Sequence, residues 1–98
     1  EEIGQDYTDV VALNGNIYSL VYNSNENLLS LFDILSGERI IRLPISELYN
    51  MVVFDSRYFV FEDNDANESI VFDIIKRKII FKSSNCFVDI LGNHIITY

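Results

Sequence analysis

Apolar residues fall along the chain in short runs: 10–13, 17–22, 28–34, 39–43, 51–54, 58–62, 69–74, 78–82, 86–91 and 94–98. Each run is rich in Ile, Val, Leu, Tyr and Phe, residues that fit a pleated, half-buried surface. The segments between them are polar and hold most of the chain's Asn, Asp and Ser. Asn14-Gly15 is a tight-hairpin signal, because both residues tolerate positive φ. Turns are also expected at Ser36-Gly37, Asp55-Ser56, Lys76-Arg77 and Gly92-Asn93. Pro44 should stop the fourth run, since it has no N–H to give a ladder. Ten strands are predicted. The one stretch with helical spacing is 44–51, through Ile45, Leu48 and Tyr49, and it reads as a loop holding a turn of helix.

The runs repeat. Phe32-Asp33-Ile34 returns 40 residues later as Phe72-Asp73-Ile74. Each is followed by a polar turn and an isoleucine doublet, Ile40-Ile41 and Ile79-Ile80. Leu13-Asn14-Gly15-Asn16-Ile17-Tyr18 matches Phe54-Asp55-Ser56-Arg57-Tyr58-Phe59, and a third copy follows at Leu91-Gly92-Asn93-His94-Ile95-Ile96. A period near 40 is that of four short strands and their turns, one blade of an antiparallel β-propeller. The expected fold is therefore all-β, built from antiparallel four-stranded β-propeller blades. One blade covers about residues 9–44, a second about 50–83, and a third begins over about 86–98, all within a single unit, 1–98. The runs at 28–32 and 69–72 barely alternate, as expected of strands buried on both faces. Phe32 and Phe72 should then occupy equivalent buried positions.

The second copy, Asp55-Ser56-Arg57-Tyr58-Phe59-Val60 followed by Ser69-Ile70-Val71-Phe72-Asp73-Ile74 and Lys78-Ile79-Ile80, resembles a WD-repeat blade. So does Asn14-Gly15-Asn16-Ile17-Tyr18 with Leu29-Ser30-Leu31-Phe32-Asp33-Ile34. An aromatic-Asp pair closes the third strand in that family, and Phe32-Asp33 and Phe72-Asp73 take its place. The family prefers Trp to Phe and sets a Gly-His pair before each blade, which is absent here. The resemblance implies a non-enzymatic protein–protein interaction scaffold within a larger intracellular complex. The alternatives are a self-assembling structural β protein, or part of a propeller enzyme whose site lies in other blades.

Composition narrows the partners. Fifteen acids against seven bases give a formal charge of −8, a field that repels phosphate backbones, so nucleic acid is not an expected partner. Lys76-Arg77-Lys78 is the one basic run; it reads as a solvated turn, with docking of an acidic partner as the alternative. The apolar runs are too short to span a bilayer as helices, so no membrane association is expected. A single cysteine, Cys86, cannot form an internal disulfide. The opening Glu1-Glu2-Ile3-Gly4 has neither a basic start nor an apolar run. An intracellular address, cytoplasmic or nuclear, is the expectation.

No catalytic, metal or cofactor constellation stands out. Asp63, Asp65 and Asn67 space their oxygens like the start of a calcium loop. Glu68 stands where such a loop turns on Gly, though, and Ile74 where it needs a bidentate Glu, so a solvated loop is expected. Asn67-Glu68-Ser69 is a glycosylation sequon that matters only in a secreted chain. His94, the only histidine, has no second His, and with Cys86 reads as structural. Asp33 and Asp73 should bond turn amides. The loops at 23–27 and 63–67 are equivalent in the repeat and so lie on one face. Asn23, Asn25, Glu26, Asp63, Asp65 and Asn67 are the candidate contact residues for other proteins. Open blade edges should be covered by remaining blades of the same chain or by a partner subunit.

Overall fold

The computed structural model describes residues 6–84, 88–91 and 94–97. Cys86 and the expected turn at Gly92-Asn93 lie outside the described residues, as does the His94 side chain. The strands are β1 (Tyr7–Leu13), β2 (Asn16–Asn23), β3 (Leu28–Asp33), β4 (Arg39–Pro44), β5 (Leu48–Phe54), β6 (Tyr58–Asp63), β7 (Glu68–Asp73), β8 (Lys78–Ser83), β9 (Val88–Leu91) and β10 (His94–Thr97). They form two four-stranded antiparallel sheets, β1-β2-β3-β4 and β5-β6-β7-β8, and a β9–β10 hairpin. No sheet closes on itself, and there is no helix among the described residues. The stretch expected to hold a turn of helix does not: a link at 45–47 leads straight into β5, whose first residue, Leu48, is a fully buried core side chain.

The two large sheets share one register. Tyr18 pairs with Asp33 in the first, and Tyr58 pairs with Asp73 in the second. Each sheet has a register shift next to its third-strand Phe, between Leu31 and Phe32 and between Val71 and Phe72. That bulge leaves Ile40 and Ile80 as the extra residues, so Ile40 matches Ile80 and not Ile79. The doublets that mark the repeat in the sequence are thus offset by one residue in space. Turn chemistry recurs as well. Asn27 and Asn67 both adopt positive φ before the third strand, and Gly37 and Arg77 do so before the fourth. The first hairpin turns on Asn14 and Gly15, the second on Asp55 and Ser56, all four at positive φ.

The sheets pack face to face in a consistent sense. Leu20, Tyr22, Leu29 and Leu31, on the face of sheet one that we call its front, share a core with Phe59, Phe61, Ile70 and Phe72 on the back of sheet two. The front of sheet two, through Val60 and Val71, packs on Ile90 of β9. Leu20 and Val60 hold the same repeat position, and so do Leu31 and Val71. Each sheet therefore turns the same face toward the one that follows it. This is head-to-tail stacking, in which two different surfaces meet at each joint.

Phe72 is fully buried in the first joint. Phe32, its equivalent, is only half-buried, because the back of sheet one has no described sheet against it. Its ring lies under the Arg39 guanidinium, 5.4 Å away. The expectation of equal burial fails for this reason.

Candidate functional site

A meander places its first and third turns at one end of the sheet and its second turn at the other. The second-turn end carries the candidate contact loops. Asn23 Oδ1 accepts the N–H groups of Asn25 and Glu26 at 3.0 and 3.2 Å, folding the loop onto itself. The link at 45–47 runs between the two loops. Ile45 N–H donates to the Asn27 carbonyl, and Asn64 N–H to that of Glu47. Both loops are thereby fixed to one connector, and they share one end of the molecule.

Asn25, Glu26, Asp65 and Asn67 are exposed there, and Asn23 is half-buried. Asp63 differs. It is 3 % exposed, and its carboxylate accepts N–H bonds from Ser46 (2.8 Å), Glu47 (3.1 Å) and Ala66 (3.2 Å). It clips the connector to sheet two and is not a surface contact. With both oxygens engaged by backbone amides it is also unsuited to head a calcium loop. Among the described residues no group of three or more His, Cys, Asp or Glu side chains is placed to hold a metal ion. No helix among them is long and apolar enough to cross a membrane.

The first- and third-turn end is held differently. Asp33 Oδ1 accepts from Leu35 and Ser36 N–H at 3.0 and 3.2 Å, and Asp73 Oδ1 from Ile75 and Lys76 N–H at 2.9 and 3.1 Å. Both aspartates bond turn amides, as expected of the residue type. Asp73 also takes a forked contact from Arg57, whose Nη2 lies 2.8 Å from Oδ2 and whose guanidinium stacks 5.1 Å above the Tyr58 ring. Burial works to raise the Asp73 pKa, but Arg57 and the two amides outweigh it and hold the carboxyl below its usual range. The equivalent of Arg57 in sheet one is Ile17, so Asp33 lacks such a partner. The two sheets also touch at this end. Asn14 Nδ2 donates to the Ser56 carbonyl at 2.7 Å, and Arg77 pairs with Glu38 at 2.9 Å.

Charge is divided between the ends. Asp6, Glu26, Glu47, Glu62, Asp63, Asp65 and Glu68 lie at the second-turn end, where Arg42 and Lys82, toward the ends of β4 and β8, are the cations among the described residues. Arg39, Arg57, Lys76, Arg77 and Lys78 lie at the other, among Asp33, Glu38, Asp55 and Asp73. The basic run is therefore one part of a larger polarity that the net charge conceals. The same end presents two exposed aliphatic side chains at one repeat position, Leu35 at 74 % and Ile75 at 64 % exposure.

One more polar group lies inside the stack. Asn50, Glu62, Ser69 and Ser83 are cross-strand neighbours on the front of sheet two. Burial raises the Glu62 carboxyl above its usual value against an opposing hydrogen bond from Asn50. Ser69 is fully buried, and its hydroxyl has no hydrogen-bond partner among the described residues.

No protein-family model matches the chain, and neither a curated protein nor a solved structure matches it.

Proposed function

We propose that the chain is part of a WD-repeat-like β-propeller that serves as a non-enzymatic platform for other proteins in an intracellular assembly. The observation that carries this is the head-to-tail stacking of two four-stranded meanders at a 40-residue repeat. A stack built that way continues in one direction, and a ring of such sheets is what a propeller is. Phe32-Asp33 and Phe72-Asp73 end their third strands with the aspartate on the following turn, which supports the WD-type assignment. The platform role follows from architecture: short, internally bonded loops on a stiff body present fixed surfaces and leave variation to exposed tips.

A structural, self-assembling protein is the second reading, and the back of sheet one favours it. Val10, Ile17 and Ile34 are exposed there, where the equivalent face of sheet two is covered. Photo-cross-linking residues placed at positions 25, 65, 35 and 75, and separately at 10 and 21, distinguish the two in cells. A platform gives specific adducts to other proteins from the loop and turn positions. Adducts only to copies of the same chain, formed from positions 10 and 21, would support self-assembly instead.

A further inference from the structure

Single exposed aliphatic side chains are ordinary on protein surfaces. Leu35 and Ile75 are not single. They occupy the same place in successive repeats, the second residue after the turn aspartate, where polar residues are the common choice. Each has its N–H held by that aspartate, at 3.0 and 2.9 Å, so the backbone beneath each side chain is fixed. The Glu38–Arg77 ion pair spans the two turns, which places them side by side at one end of the molecule. Around them stand Lys76 and Lys78, neither with a side-chain partner among the described residues. In a chain of formal charge −8, cations and exposed aliphatic groups coincide at this end.

We infer that this turn end is a docking surface for an acidic protein segment carrying apolar side chains, which pack on Leu35 and Ile75 while its carboxylates meet Lys76 and Lys78. The assignment rests on the platform reading above and names where one partner sits. Charge selects the occupant: steering by local cations acts within about 8 Å at physiological salt, so a short acidic segment senses this end and not the acidic loops opposite. An anionic bilayer fits less well. Two aliphatic side chains give little to insert into hydrocarbon.

The test uses the full chain and a short fluorescein-labelled synthetic peptide that alternates Glu and Asp with Leu and Phe, read by fluorescence anisotropy. Saturable binding should weaken about tenfold or more in the Leu35→Ser/Ile75→Ser double variant, as loss of two packed aliphatic contacts requires. Binding should fall similarly in Lys76→Glu/Lys78→Glu, decline with added salt, and be unchanged in Arg42→Ser/Lys82→Ser, which removes two exposed cations away from this end. Circular dichroism verifies that each variant keeps its strand signal. Equal binding of a peptide with Ser in place of Leu and Phe would overturn the inference, as would affinity indifferent to Leu35→Ser/Ile75→Ser. Capture by phosphatidylserine vesicles that the peptide does not displace would assign the surface to membrane and overturn it too. If the peptide fails while cross-linked partners appear at positions 25 and 65, the inference falls and the platform reading stands.

Discussion

The back faces of the two large sheets have the same backbone and opposite chemistry. Across the first three strands, sheet one presents Thr8, Val10, Ser19, Val21, Ser30 and Phe32. At the paired positions sheet two presents Met51, Val53, Phe59, Phe61, Ile70 and Phe72. The second set is core, with the Phe59 and Phe61 rings 6.0 Å apart and tilted by 39°. The first set, Phe32 apart, is Thr, Ser and Val, and it is fringed by Arg39 and Arg42 on β4. The front faces diverge the other way. Tyr7, Tyr22, Leu29 and Leu43 form an apolar row on sheet one, with the Tyr22 hydroxyl donating to the Ile45 carbonyl at 3.0 Å. The matching row of sheet two is Asn50, Glu62, Ser69 and Ser83. Repeat position thus sets strand, turn and bulge, while the neighbouring surface sets the side chain. The joint between sheets one and two is apolar and aromatic, and the next carries a polar row at its second-turn end.

That contrast predicts unequal costs for equal substitutions. Phe72→Ala should destabilise the fold by about 3–5 kcal/mol, as truncation of a fully buried aromatic does. Phe32→Ala, at the same repeat position, should cost about 1 kcal/mol, in the range of partly exposed sites. Denaturant unfolding of the two variants measures this. Similar losses would mean that the back of sheet one is covered to the same extent as that of sheet two.

The aspartates should differ in the same direction. Asp73→Ala strips a charge-assisted pair with Arg57 and two turn amides, for about 2–3 kcal/mol, whereas Asp33→Ala removes only turn amides, for about 1 kcal/mol. The Asp73 carboxyl is held below its unfolded value, near 3.9. Its contribution is therefore complete above about pH 4 and is lost as pH falls through the lower folded-state value. Acid titrations of Arg57→Ala and the parent chain should diverge above that range and converge below it.

A smaller effect is expected at the second hairpin. Ser56 adopts φ 49°, where Gly15 in the first hairpin adopts 79°. Ser56→Gly should stabilise by about 1 kcal/mol through relief of left-handed strain. The hydrogen bond from Asn14 survives, because it ends on the Ser56 backbone carbonyl. Thermal unfolding at matched concentration reads the change, and a drop in midpoint would tell against a strained turn.

The smallest effect lies in the polar row. The Glu62 carboxyl is raised by burial, so its ionisation opposes folding as pH climbs through the carboxylate range. Glu62→Gln should leave stability unchanged near pH 3 and raise it slightly at pH 7. Lower stability at pH 7 would show that the charge has a favourable partner in the stack.

Much of the fold was legible in the sequence because its signals are local. Alternation, Asn14-Gly15, Ser36-Gly37 and Pro44 mark strand ends through backbone chemistry, and the Phe-Asp repeat marks the period. What was misjudged depends on partners far along the chain. The isoleucine doublets look aligned, but they lie 39 residues apart in a repeat whose phenylalanines lie 40 apart, and the strand pairing shows that Ile40 matches Ile80. Residues 44–51 read as a loop holding a turn of helix until Leu48 is found buried where β5 pairs with β6. Asp63 sits in a polar run like any solvated loop residue, and its role as a clip appears only when the link at 45–47 folds over it. The Arg57–Asp73 pair had one available signal: Tyr58, beside Arg57, is the strand partner of Asp73. The division of charge between the ends could not be read before the turns were assigned to ends.

The central claim is that these sheets are successive blades stacked head to tail in a larger ring. An experimental structure of the protein in its native assembly tests it most directly, through what lies against the back of sheet one. The account predicts the front face of another four-stranded antiparallel sheet over Val10, Val21 and Phe32, in the sense in which sheet one meets Phe59 and Phe61. Solvent on that face, or a sheet packed there back to back, would contradict it.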